Sequence, residues 1–247
     1  MATYELSPLS TGEVIDRGIT LYREQFATLF GIAAVCQGPP AVLSLYVALG
    51  GGFLLHPLAA GVGALLTYVG YLLGSAATLH AVSEAYLGHE PQLGEALGFA
   101  GHKVWPLFVA GLAAGIVIML ASLLLIVPGI IVACGYAVVS QVVVLETLDR
   151  SSGALQRSWA LTKGFKGKAF VIGLVTLLIV GLPGGVVAAV LRGSPETGSV
   201  LSQLIQLVLH PIIPCAFTLL YYDLRVRKEA FDLELLGQQL GSGAATA

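Results

Sequence analysis

The sequence predicts an all-α, polytopic integral membrane protein with six transmembrane helices, and three observations predict it. Hydrophobic residues make up 56% of the 247-residue chain and charged residues only 11%, against roughly 25% charged in a soluble domain. Mean hydropathy is +0.88. Six apolar stretches approach or exceed the roughly 20 helical residues that cross a hydrocarbon core. They are continuous rather than alternating in polarity, which argues against a β-barrel. The same numbers exclude a soluble globular enzyme, a disordered chain, a disulfide scaffold on 3 cysteines and a nucleic-acid binder at net charge −2.

The spans are read at 26–49, 58–83, 105–127, 129–145, 169–191 and 200–222, and none holds an Asp, Glu, Lys or Arg. Glu146 fixes the end of the fourth, which is the shortest. Charged residues from Glu5 to Glu24 precede the first span without a short apolar region and cleavage site, so a cleaved signal peptide is not expected.

Short amphipathic helices are expected in the membrane interface before the odd-numbered spans, at about 11–25, 91–104 and 152–166. The first opens with Ser10 and Glu13 at capping-box spacing. The order of interfacial helix, span, turn and span then occurs three times, consistent with three diverged hairpin repeats. The starts at Gly12, Gly94 and Gly153 are 82 and 59 residues apart, so the period is irregular. Residues 1–236 are read as one six-span membrane domain and 237–247 as a flexible tail.

Orientation follows from the basic residues. With the N-terminus inside, inner segments hold Arg17, Arg23, Lys103, Arg150, Arg157, Lys163, Lys166, Lys168, Arg225, Arg227 and Lys228. Arg192 alone, of the 12 basic residues, falls outside. A multi-pass protein of the cell membrane with both termini cytoplasmic is expected.

Catalytic constellations are absent: there is no nucleophile elbow, no H-E-x-x-H, no C-x-x-C and no phosphate-binding loop. Cys36, Cys134 and Cys215 lie singly in three spans, and the histidines show no metal-ligand spacing. No catalytic residue, metal or cofactor is expected, and no enzyme.

Gln203, Gln206 and His210 lie on one face of the sixth span, ahead of the helix-disturbing Pro211 and Pro214. Such a stripe either lines a cavity or hydrogen-bonds other helices across a kink. Gln37 is a candidate partner. Stripes of small residues at Gly63, Thr67, Gly70, Gly74, Ala77 and Ala81, at Gly111, Gly115 and Ser122, and at Gly181 and Gly185 predict close helix packing.

Leu9–Tyr22, Ile126–Ile130, Val142–Glu146, Arg157–Gly164 and Tyr221–Arg225 together resemble the glycerophosphoryl diester phosphodiesterase membrane-domain family of prokaryotic integral membrane proteins. Trp159 and the Tyr222-Asp223 pair carry the most specific part of the resemblance, which runs from about Leu6 to Leu236. It implies six spans and no assigned catalytic residues. The phosphodiesterase barrel that gives the family its name needs about 250 residues of its own, so the chain is read as the membrane domain alone.

The function expected is non-catalytic binding of membrane phospholipids, anionic ones in particular, or of partner proteins. The site would be a basic cytoplasmic face of Arg150, Arg157, Trp159, Lys163, Lys166, Tyr222 and Arg225. Pairing of these cations with Glu146, Asp149, Asp223 and Glu229, leaving them only a topological role, is the alternative. A transporter for a lipid or small amphiphile, and an intramembrane lipid-modifying enzyme, are the competing functions. The sequence leaves homo-oligomers and protein partners open.

Overall fold

A computed structural model describes residues 8–50, 56–147 and 153–229. The predicted tail at 237–247 and the candidate site residue Arg150 lie outside these residues, as does Asp149. Among the described residues, ten helices follow one another. They are α1 (Thr11–Glu24), α2 (Phe26–Leu49), α3 (Pro57–Tyr86), α4 (Leu93–Leu124), α5 (Ile126–Gly135), α6 (Val139–Leu145), α7 (Gly153–Thr162), α8 (Lys166–Val190), α9 (Pro195–Leu209) and α10 (Ile212–Glu229). Six units are long and apolar enough to cross a membrane: α2, α3, α4, α5 with α6, α8, and α9 with α10. The protein is therefore an all-α, polytopic membrane protein.

The surface supports this reading from the packing side. Leu58, Leu123, Leu124, Ile126 and Val190 are each at least 75% exposed. Side chains of this kind, arrayed along long helices, need acyl chains rather than water around them. The protein's own core gathers at one end of the bundle. There Leu9, Val14, Leu79, Leu161, Ile172, Leu219, Tyr221 and Leu224 are buried to within 1% of completely. We call this the packed end. At the other end α2, α3 and α9 line a cavity.

Helix α1 starts as its sequence dictates. The Glu13 amide donates to Ser10 Oγ at 3.3 Å, and the Ser10 amide donates to Glu13 Oε2 at 2.6 Å, completing the capping box. That Ser10 backbone hydrogen bond, ahead of the Ser10 hydroxyl, holds the Glu13 carboxyl below its ordinary pKa. The apolar face of α1 is not left for lipid, however. Val14, Gly18, Leu21 and Tyr22 are buried, and Gly18 is so close to Ala216 that an added Cβ would stand 3.3 Å from its backbone. The helix predicted to lie in the interface packs along α10.

Three expectations are corrected. The second interfacial helix and the third span are one continuous helix of 32 residues, α4. Pro106 sits inside it, removing only the bond to the His102 carbonyl, while Ala96 and Ala100 pack against the core. The fourth span begins three residues earlier, at Ile126, and is broken into α5 and α6. The connection expected as a polar loop at 192–199 is mostly the first turn of α9, and the sixth span runs on to Glu229. The break expected at Pro211 and Pro214 is present between α9 and α10.

Close approach falls where only some of the small-residue stripes placed it. On α3, a Cβ at Gly70 would run into the Cys36 carbonyl oxygen, and one at Gly74 would lie 3.3 Å from Cys36 Cβ. Gly111 and Gly115 meet no neighbour within 4 Å, and neither does Gly185; the intimate glycine of α8 is Gly184, set against Gln206 and Ser202. Helical spacing identifies a face but not which face meets protein. Glycine is required for backbone reasons at Gly88 and Gly164, where φ is +90° and +89° in the turns after α3 and α7.

Candidate functional site

The packed end contains a network of charges built from four distant segments. Asp223 lies in α10 with its side chain fully buried. Its Oδ1 accepts the Leu9 amide at 2.7 Å, its Oδ2 accepts Lys168 Nζ at 2.6 Å, and Arg227 Nε contacts both oxygens at 3.0 and 3.1 Å. Lys168 and Arg227 also donate to the Leu9 carbonyl. The N-terminal segment is thus clamped to α8 and α10 by a carboxylate with all its neighbours supplied, as burial of a charge requires.

A second carboxylate, Glu146, caps α6 and receives Arg157 Nε at 2.9 and 3.1 Å and the Tyr221 hydroxyl at 2.9 Å. Arg157 also pairs with Glu229, which Arg225 Nε reaches at 3.0 Å. Hydrogen bonding to Glu229, and then to Glu146, raises the Arg157 pKa beyond its ordinary value against the opposing effect of burial.

This arrangement redistributes the residues expected to form a basic headgroup face. Arg157 and Arg225 are committed to carboxylates, in line with the pairing alternative. Tyr222 is 4% exposed and shares a 2.5 Å hydrogen bond with Ser83 Oγ, so it sits in the core and offers no exposed ring. Trp159 lies with its ring over Gly135, where a Cβ would collide with it, and Lys166 Nζ stands 3.2 Å from the ring centroid. Lys163 is exposed. Of the seven candidates, Trp159, Lys163 and Lys166 alone remain together at a described surface.

The break in the fourth span belongs to the same end. The Gly135 carbonyl accepts the hydroxyls of Ser158 and Thr162, each at 3.0 Å. These two α7 hydroxyls replace hydrogen bonds that a broken helix gives up. Ser158 and Thr162 fall in the Arg157–Gly164 segment of the resemblance without a role being read for either, and Gly135 did not stand out in the sequence. The one available signal was the Gly135-Tyr136 step inside an otherwise apolar run.

The open end holds a cavity of about 1420 Å³ between α2, α3 and α9, with Ala188 and Arg192 closing its α8 side. Along α2 it extends from Ala33 to Val47, about 21 Å of helix. Its walls are mostly apolar, with Ala41, Leu45, Ala60 and Ala64 among them. The polar stripe of Gln203, Gln206 and His210 and the proposed partner Gln37 all line it, joined by Tyr71. The Tyr71 and His210 rings meet edge to face at 5.7 Å.

The deep end of the cavity coincides with the α9–α10 break. Pro211 has no N–H to return to the Leu207 carbonyl, and Leu207 lines the cavity. The Val208 carbonyl is taken by the Tyr22 hydroxyl, which ties the break to α1. The cavity thus presents amide, imidazole and phenol groups deep among apolar walls, with one guanidinium, Arg192, toward its other end.

No protein-family model, curated protein or solved structure matches the chain. The family resemblance therefore rests on the quoted segments themselves. Their residues have structural roles here: Asp223 anchors Leu9 and Lys168, Trp159 covers Gly135, and Thr162 bonds its carbonyl. Among the described residues no group of three or more His, Cys, Asp or Glu side chains is placed to hold a metal ion.

Proposed function

We propose that this protein binds a membrane lipid or another amphiphile in the cavity between α2, α3 and α9, without chemically altering it. The cavity carries the proposal. Its volume of about 1420 Å³ exceeds the roughly 300–1,000 Å³ of small-molecule pockets and suits a ligand with long apolar chains. Apolar walls with a few polar groups are the composition that such a ligand needs. Among the described residues the lining includes one imidazole, His210, and no carboxylate, which offers no acid–base pair for hydrolysis.

This moves the lipid site expected from sequence. The basic face is largely neutralised by Glu146, Asp223 and Glu229, whereas among the described residues no acidic side chain lines the cavity. Trp159, Lys163 and Lys166 remain as a secondary surface for anionic headgroups, each cation near such a leaflet contributing about 1 kcal/mol.

A photoactivatable phospholipid tests the proposal. Crosslinks are expected to concentrate on peptides from α2, α3 and α9. Labelling spread evenly over the exposed apolar faces, including Leu123 and Leu124, would count against a defined site.

A transporter is the second reading, and one observation favours it. Transporter sites are characteristically built at discontinuous helices near the bilayer midplane, and His210 joins the cavity to such a discontinuity. Protein reconstituted into vesicles would then accelerate movement of a labelled lipid between leaflets. A binding protein would leave that rate at the level of empty vesicles.

A further inference from the structure

We propose that the cavity selects amphiphiles with an anionic headgroup, and that Arg192 is the residue that receives it. This rests on the cavity being a lipid site and assigns the chemistry of its ligand. Arg192 is the one basic residue that sequence places away from all the others, and the structure puts it in the cavity lining at the α8–α9 turn. Arg157, Lys168, Arg225 and Arg227 at the packed end are all ion-paired. No ion pair involves Arg192 among the described residues, and it is exposed.

A second positive feature converges on the same place. Helix α9 begins at Pro195, three residues after Arg192, and Gly198 in its first turn also lines the cavity. The N-terminal end of a 15-residue helix carries about half a positive charge. The guanidinium adds a planar fork whose donors match phosphate or carboxylate oxygens in pairs. From Arg192 the apolar walls at Val47, Ala60, Ala64, Leu45 and Ala41 lead inward. They accommodate the chains of an amphiphile whose head stays at the rim. A free anion would use the rim alone and forgo the walls, so the occupant is a lipid and not dissolved phosphate.

The test is a titration of the purified full-length protein with phosphatidylglycerol or phosphatidylcholine of identical acyl chains. The wild type is expected to prefer the anionic lipid about fivefold, the effect of one well-placed cation. Arg192→Gln weakens phosphatidylglycerol binding more than phosphatidylcholine binding and so removes the preference. Inorganic phosphate fails to displace the lipid. An unchanged anionic preference in Arg192→Gln overturns the assignment, and so does displacement by phosphate. Ala64→Trp separates this failure from failure of the site itself. If that variant blocks both lipids but the wild type shows no headgroup preference, only the Arg192 assignment falls. If neither lipid responds to Ala64→Trp, the cavity reading falls with it.

Discussion

Lys168 Nζ lies 2.6 Å from Asp223 Oδ2, joining residues 55 apart in sequence on the two helices α8 and α10. The pair is buried, with side-chain exposures of 10% and 0%. It holds the Leu9 backbone between them, and so fixes where α1 begins.

Replacing Asp223 leaves the largely buried Lys168 ammonium without its carboxylate. Asp223→Asn is expected to cost about 3–5 kcal/mol, the usual price of breaking a buried ion pair. Lys168→Met together with Asp223→Leu should recover part of the loss, because an apolar pair removes the desolvation problem. Thermal unfolding in detergent measures both. A single substitution with no loss of stability would show that the clamp is not needed for the fold.

Gly135 and Gly111 offer a matched contrast. A Cβ at Gly135 would enter the Trp159 ring, whereas one at Gly111 meets nothing within 4 Å. Gly135→Ala should destabilise by about 1–3 kcal/mol through overpacking. Gly111→Ala should stay within about 0.5 kcal/mol of wild type, as for substitutions that touch no packed group. Equal effects at the two positions would contradict the packing described for α5 and α7.

The orientation proposed from the basic residues has its own test. With Cys36, Cys134 and Cys215 buried, an impermeant thiol reagent applied to intact cells should label Ser194→Cys and spare Lys163→Cys. The reverse pattern would invert the topology.

Span number and helical class were legible because length and apolarity alone decide them. The capping box at Ser10 and Glu13 was legible because its two side chains are three residues apart. The polar face of Gln203, Gln206 and His210 could be read for the same local reason. The role of Asp223 was not, because its partners Leu9 and Lys168 lie 214 and 55 residues away. Apolarity also fails to reveal a break such as Gly135–Val139, which is decided by the Ser158 and Thr162 hydroxyls on another helix. The pairing of the basic cluster was hidden for a related reason. Positive-inside counting places cations on a side of the membrane and is silent on whether Glu146 and Glu229 already occupy them.

The central claim is that the cavity between α2, α3 and α9 holds a lipid. Native mass spectrometry of the purified protein, wild type against the Ala41→Trp/Ala64→Trp double variant, tests it most directly. Both side chains lie in the cavity lining, so two indoles there should exclude the ligand while the charge clusters at the packed end keep the fold. The account expects the wild type to retain a lipid adduct that the folded double variant loses. The same adduct, retained equally by both proteins, would contradict it.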